Sequence, residues 1–297
     1  MYDTIIIGSG PAGITASLYI KRAGFKVLII SKNESVLNGA NKIENYYGFE
    51  NPISGKELSH NGIKQAKRLG VEIIPKEVIG IKYAENNCYE VVTANQPKDE
   101  KYIAKTIIIA TGANRNRPNI KGIQEYEGRG ISYCAICDAA FYKNKDVAVL
   151  GSGEYAVGEI EELLPVAKSV TMLTNGKEPV ENRSQDEKLK INQKKIREFR
   201  GTSKIEEIEF EDATKQNING IFIAQGTASS LDFAKKLGAK IEENHIVVNE
   251  KMQTTISNIY ACGDCTGGIL QISKAVYEGT KAGLEIINKL RENTNKR

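Results

Sequence analysis

The 297-residue chain has no tryptophan, two histidines, three methionines, five cysteines and seven prolines. So few histidines leave little material for a His-rich metal centre, and the polar surroundings of His60 and His245 suit solvent-exposed side chains. Five cysteines is an odd, small number for this length, which argues against a secreted disulfide scaffold. No apolar run approaches the ~20 residues of a membrane span. The start, "MYDTIIIGSG", lacks the basic head and cleavage site of a signal peptide and reads as a strand, so the expected location is the cytoplasm. A net charge of +4 is too weak and too mixed to point to nucleic acid, but it favours an acidic partner. Glycine, by contrast, is plentiful. Twenty-seven of them predict an α/β protein with many tight strand-to-helix turns.

Two of those turns repeat one arrangement about 140 residues apart. "TIIIGSGPAGITASLYIKRAG" gives a strand over 4–7, glycines at 8, 10 and 13, and a helix ending near Gly24. "VAVLGSGEYAVGEIEELL" gives a strand, glycines at 151 and 153, Ala156 in the third position, and a helix. Each is followed by another apolar strand, "KVLIISK" and "SVTMLT". Two such units mean two dinucleotide-type folds in one chain. In the first, Gly8 permits the tight turn, Gly10 lets backbone approach a pyrophosphate, and Gly13 lets helix pack on strand. The helix N-terminus then offers free N–H groups and a favourable dipole. Ser31 stands where an acid usually holds the ribose, with Glu34 three residues late.

The cysteines need a separate reading. Cys134 and Cys137, in "SYCAICDAAF", precede Asp138. Such a pair can hold a metal, staple a fold or exchange a disulfide with a partner, and exchange needs a supply of electrons. A second pair, Cys262 and Cys265, makes a zinc set conceivable, but 124 residues separate it from Cys137, against roughly 12–20 in zinc modules. No metal is expected; the second pair reads as small residues near a cofactor, and Cys88 as a strand residue with no partner.

"TIIIATGANRNRP" and "TTISNIYACGDCTGG" are strands running into Thr111-Gly112 and Gly263-Asp264. Together with the first turn they resemble the FAD-binding segments of the two-dinucleotide-domain flavoprotein reductases. "CAICDAAFY…VAVLGSGEYA", "NYYGFENPISGKEL" and "GDCTGGILQISKAVYEG" narrow the resemblance to the low-molecular-weight thioredoxin reductases, over nearly the whole chain. That resemblance implies two Rossmann-like domains, the second inserted in the first. An FAD domain would use 1–115 and 246–297, and the redox-disulfide domain 116–245. It implies FAD held by Gly8, Gly10, Pro11, Ala12, Gly13, Ser31, Asn45, Ala110, Thr111, Gly112, Gly263, Asp264, Gln271 and Ile272, with Asp264 on the ribityl chain. It implies that Cys137 lies against the flavin, Cys134 attacks the disulfide of thioredoxin, and Asp138 moves a proton. A homodimer through the FAD domains is also implied.

The electron donor is where the sequence departs from that pattern. NADPH needs cations for its 2′-phosphate, and the family has a His-Arg-Arg run after the second strand. Here Thr174, Asn175 and Gly176 take those places, Lys177 is the nearby cation, and Arg183 lies along a Pro-interrupted loop. Glu154 and Tyr155 put a carboxylate and a bulky ring where pyrophosphate should approach. The inserted domain looks reduced: 175–218 is expected to hold one helix, "QDEKLKINQKKIREF", and one strand, "KIEEIEFED". The segment 175–204 has nine Lys/Arg against five Asp/Glu, a surface for an acidic electron carrier. These departures are similar to those of the ferredoxin-dependent flavin thioredoxin reductases. An NADPH enzyme with an atypical phosphate pocket, and a flavoprotein serving as a redox sensor or binding module without turnover, stay open as alternatives. The C-terminal "ISKAVYEGTKAGLEIINKL" reads as a core-packing helix with a frayed tail.

Overall fold

The computed structural model describes residues 1–32, 35–95, 98–112, 118–133, 135–180, 186–226 and 230–295. The chain divides into two compact units, 1–114 with 229–297, and 115–228. In the first unit β1 (Tyr2–Ile7), α1 (Pro11–Arg22), β2 (Val27–Ile30), α2 (Gly55–Arg68) and β3 (Glu72–Ile74) lead into β4 (Val78–Ala84), β5 (Cys88–Thr93) and β6 (Glu100–Ile109). After the insertion come α6 (Ser230–Leu237), β15 (Ile241–Glu242), β16 (His245–Ile246), β17 (Ile259–Ala261) and α7 (Ile272–Asn295). The described strands form a sheet ordered β3-β2-β1-β6-β5-β4, with β17 also pairing β6. Its centre is parallel, Ile5 standing beside Leu28 on one side and Ile107 on the other. Those three are fully buried, as expected of strands covered on both faces. Helices α1 and α7 cross on one face through small residues: a side chain at Gly279 would run into the carbonyl of Ala12.

The second unit holds α3 (Ile123–Tyr126), β7 (Ile131–Ser132), α4 (Ala135–Asp138), β8 (Asp146–Leu150), α5 (Glu154–Leu163), β9 (Ser169–Leu173), β10 (Leu189–Asn192), β11 (Ile196–Gly201), β12 (Ile205–Phe210), β13 (Lys215–Asn217) and β14 (Gly220–Ile223). A parallel sheet runs β10-β9-β8-β14-β7, and β11-β12-β13 make an antiparallel sheet beside it.

Three expectations need correction. The helix over "QDEKLKINQKKIREF" is absent; the described part of that segment forms β10 and most of β11, so this unit carries more strand than the sequence led one to expect. Tertiary pairing outweighs the helix preference of Lys, Gln and Glu, because Ile196 and Phe199 are buried with Ile205, Ile208 and Phe210. The return crossing also falls earlier than 245. Helix α6 packs in the first unit, with Phe233 buried and the Leu237 carbonyl accepting a hydrogen bond from Tyr83 of β4 at 3.3 Å. Finally, the C-terminal helix runs on to Asn295 instead of fraying from Arg291. Among the described residues, no helix is long and apolar enough to cross a membrane.

Candidate active site

Strand β1 delivers the chain into the first glycine turn. Gly8 has φ +109°, and a side chain there would run into the carbonyl oxygen of Ala110. Ala110 N–H donates to the Ile7 carbonyl and joins the two segments, and Gly8 N–H donates to the Ile30 carbonyl at the end of β2, both at 2.9 Å. Gly13 lets α1 press onto the carbonyl of Gly8. Gly10 differs: nothing lies within 4 Å of where its Cβ would be. Pro11 begins α1 with the φ a first turn needs, and no side chain caps the N-terminus. Beside it the Ser9 hydroxyl donates to Ser31 Oγ at 3.0 Å, which places Ser31 against the turn as expected. The Thr111 hydroxyl is buried and has no partner among the described residues. Buried polar groups are nearly always satisfied, so this hydroxyl suits a bound group at this turn.

Strand β17 brings the second half. Cys262 N–H donates to the Ile109 carbonyl at 3.1 Å, which sets Gly263 beside α1, its missing Cβ 3.0 Å from Cβ of Ala12. Glu278, buried on α7, accepts from Gly263 N–H and from the Thr266 hydroxyl at 2.8 Å each. Lys274 reaches the Gly263 carbonyl at 2.9 Å and pairs with Glu278 at 3.1 Å. Together they lock the Gly263–Thr266 turn that presents Asp264. Sequence reasoning missed Lys274 and Glu278; their four-residue spacing in "SKAVYEG" was the available signal. Just ahead of Ile272, Gln271 accepts from the Asn45 side chain at 3.1 Å, so two predicted site residues far apart in sequence do meet.

The cysteines of this turn are buried thiols. Cys262 and Cys265 are buried and free, with Cys265 Sγ–H directed to the Cys262 carbonyl at 3.3 Å. Burial pushes the Cys265 thiol up to about 12 and Cys262 well above its ordinary value, so neither offers a thiolate. Cys88 is likewise free and buried, at the start of β5. His60 is exposed as expected, but His245 is not: it is half-buried, its ring set against Gly267.

In the second unit β7 leads to the Cys134–Cys137 motif. Cys134 and the side chain of Cys137 lie outside the described residues; the backbone of Cys137 is in α4. Asp138 closes that helix, and its Oδ2 accepts from the Ser132 hydroxyl at 2.6 Å. Ala135 N–H donates to Oε2 of Glu159 on α5, also at 2.6 Å. Tyr155, 1% exposed, directs its hydroxyl to the Tyr133 carbonyl at 3.5 Å.

The glycine turn of this unit is crowded. Val180 N–H donates to the Ser152 carbonyl at 2.9 Å, so the loop after β9 folds back onto the turn. Thr174 and Gly176 donate their N–H groups to the carbonyls of Asn192 and Gln193, and Asn175 Oδ1 accepts from Ile196 N–H at 2.8 Å. The backbone at the places of the missing basic run is thus tied to the β10–β11 segment, while the buried Thr174 hydroxyl has no partner among the described residues. Lys177 is exposed, and Arg183 lies outside the described residues.

Residues 2–279 match the pyridine nucleotide-disulphide oxidoreductases, and the chain belongs to that family. The thioredoxin reductase of Aquifex aeolicus (strain VF5) is 37% identical, over 96% of this chain and 92% of that one. The atypical thioredoxin reductase from Desulfovibrio vulgaris Hildenborough, a solved structure, is 35% identical over 98% of this chain and 99% of that one, with TM-score 0.90. A ferredoxin-flavin thioredoxin reductase from Clostridium acetobutylicum is 32% identical over 98% of each chain, with TM-score 0.70. This is a flavoprotein disulfide reductase of the thioredoxin reductase type, with FAD as its cofactor. The first unit fits that group: an uncapped helix N-terminus, open space at Gly10 and an orphaned Thr111 hydroxyl meet at one turn.

Proposed function

We propose that the protein is a ferredoxin-dependent thioredoxin reductase, reducing thioredoxin through a Cys134–Cys137 disulfide. The observation that carries the donor assignment is the state of the second glycine turn. Tyr155, one residue into α5, is fully buried with its hydroxyl directed to the Tyr133 carbonyl, and the Val180 backbone closes on Ser152. A pyrophosphate would also face Glu154, and a 2′-phosphate would meet Lys177 in place of an arginine cluster. Losing two charge-assisted bonds at ~1.5–3 kcal/mol each weakens binding by roughly two to four orders of magnitude. Ferredoxin is an energetically adequate donor: plant-type ferredoxins lie near −400 mV and thioredoxin near −270 mV, a gap worth about 6 kcal/mol for two electrons.

FAD would be held by Gly8, Gly10, Pro11, Ala12 and Gly13 at its pyrophosphate, Ser31 toward the adenosine, and Ala110, Thr111, Gly112, Gly263 and Asp264 along its length. Asn45, Gln271 and Ile272 would meet the ring system. When bound, it supplies the conversion between one-electron and two-electron transfer. The protein's own residues do the thiol chemistry. The Cys134 thiolate attacks the thioredoxin disulfide; one S–S bond breaks, a mixed disulfide forms, and Asp138 protonates the departing sulfur. Cys137 then displaces thioredoxin and closes the internal disulfide. Ser132 holds one oxygen of Asp138 by its hydrogen bond, which fixes the carboxyl for that proton transfer. We further propose a homodimer in the cytoplasm. Tyr277 and Leu284, exposed two turns apart on α7, offer it a surface.

Mixing the purified flavoprotein with reduced ferredoxin should bleach the flavin, at a rate that falls with salt because attraction to an acidic carrier is screened over ~10 Å at 0.1 M. Rapid bleaching by micromolar NADPH would overturn the donor assignment and leave the disulfide chemistry standing. Cys134→Ser and Cys137→Ser should each abolish turnover, with only Cys137→Ser trapping thioredoxin as a mixed disulfide.

A further inference from the structure

One buried acid has no task in the chemistry above. Glu159 is 1% exposed on α5. It shares the buried stripe of that helix with Tyr155, Ala156, Ile160 and Leu163, where an apolar residue would ordinarily stand. Its Oε2 accepts the N–H of Ala135 at 2.6 Å. Ala135 is fully buried and lies between the two cysteines, directly after Cys134 and two residues before Cys137.

An N–H in the first turn of a helix has no partner within that helix. Beside a cysteine, such a donor favours the thiolate, and a strongly stabilised thiolate makes the corresponding disulfide a good oxidant. That is the wrong property for an enzyme that gives electrons to thioredoxin. In this chain a carboxylate takes the donor instead. It also brings a negative charge up to the peptide between the cysteines, and like charge opposes ionisation of a thiol.

We propose that Glu159 is the positioning residue of the disulfide motif: by holding the Ala135 N–H it fixes the peptide between the cysteines and keeps their couple reducing. The inference rests on the reading of Cys134–Cys137 as the redox disulfide. Among the described residues, the other titratable groups on α4 and the elements beside it include Asp138, whose Oδ2 accepts from Ser132 at 2.6 Å, the phenols of Tyr133, Tyr142 and Tyr155, and Glu154, Glu161 and Glu162 on α5. It is Glu159 that meets the backbone of the motif itself.

The test uses full-length, FAD-loaded protein in its reduced state. The rate of iodoacetamide alkylation at Cys134, read peptide by peptide against pH, gives the titration of that thiol. Glu159→Gln has nearly the same shape and keeps an acceptor for Ala135 N–H, but removes the charge. Its titration should move down by about one pH unit, so that alkylation below the transition runs about tenfold faster. That factor corresponds to a rise of about 30 mV in the potential of the disulfide. Glu159→Asp, which keeps the charge, should restore the original titration, which a purely structural role would not require. A Glu159→Gln titration that superimposes on the parent, in protein whose Cys134–Cys137 disulfide forms normally, overturns the role of Glu159 alone. Failure of the parent to form that disulfide on oxidation overturns the reading beneath it, and this inference with it.

Discussion

The two glycine turns of this protein begin from nearly the same sequence and end as different objects. Both follow a buried parallel strand, both open a helix, and neither helix has a side-chain cap. In the first, α1 starts Pro11-Ala12-Gly13 and the space at Gly10 is open. In the second, α5 starts Glu154-Tyr155-Ala156, the tyrosine ring is buried, and Val180 hydrogen-bonds back onto the turn. The two turns share a backbone plan and differ in the residues that open the helix, Pro11-Ala12 against Glu154-Tyr155.

The largest effect should come from truncating the buried ring that follows the second turn. Tyr155→Ala removes a fully buried ring and should destabilise the protein by ~3–5 kcal/mol, without creating NADPH binding. Denaturant unfolding and a flavin-reduction assay check both halves, and NADPH turnover in this variant would show that the ring alone had blocked the site. Next comes the lock on the open turn. Glu278→Ala strands the buried Gly263 N–H and removes the carboxylate that pairs with Lys274, and should cost about 2–3 kcal/mol and loosen flavin. Unchanged melting with full flavin would refute the lock.

The sharpest contrast is between matched glycines. Gly10→Ala should leave the flavin-free protein as stable as its parent, since nothing lies within 4 Å of the new Cβ, yet weaken FAD binding by about tenfold or more, ~1.4 kcal/mol. Gly153→Ala should leave both stability and FAD binding unchanged, because its Cβ would make an ordinary contact 3.6 Å from the Gly226 carbonyl. Equal flavin loss in the two variants would erase the distinction between the turns.

A last comparison concerns acid. Hydrogen bonds from Lys121 and Arg200 hold Glu198 at about 2, and one from Lys194, with Thr214, holds Asp212 at about 2. Both values lie below those of the unfolded chain, so the stabilisation is present in full above the ordinary carboxylate range and disappears as pH falls toward 2. Among the described residues, both carboxylates belong to the second unit. Hydrogen exchange at falling pH should therefore open β11–β13 before the core of β1, β2 and β6. The opposite order would assign acid sensitivity to the first unit.

The sequence by itself determined the α/β class, the two strand–turn–helix units and the glycine spacing from Gly8 to Gly13. Each of those is local: glycine spacing and apolar runs carry their meaning within a few residues. A resemblance named Asn45, Gln271 and Ser31 as cofactor residues, but the contacts of Asn45 with Gln271 and of Ser31 with Ser9 came from the fold. The tertiary structure decided what depends on a distant partner. Lysines, glutamines and glutamates over 185–199 favour helix in isolation, but a neighbouring strand and a core for Ile196 and Phe199 make β10 and β11 there. His245 looks like a surface residue until β16 lays it on Gly267. Glu278 and Glu159 read as ordinary helix acids, and only folding brings one to Gly263 N–H and the other to Ala135 N–H. A buried carboxylate requires a donor to offset its desolvation, and no run of neighbouring residues records where that donor will be.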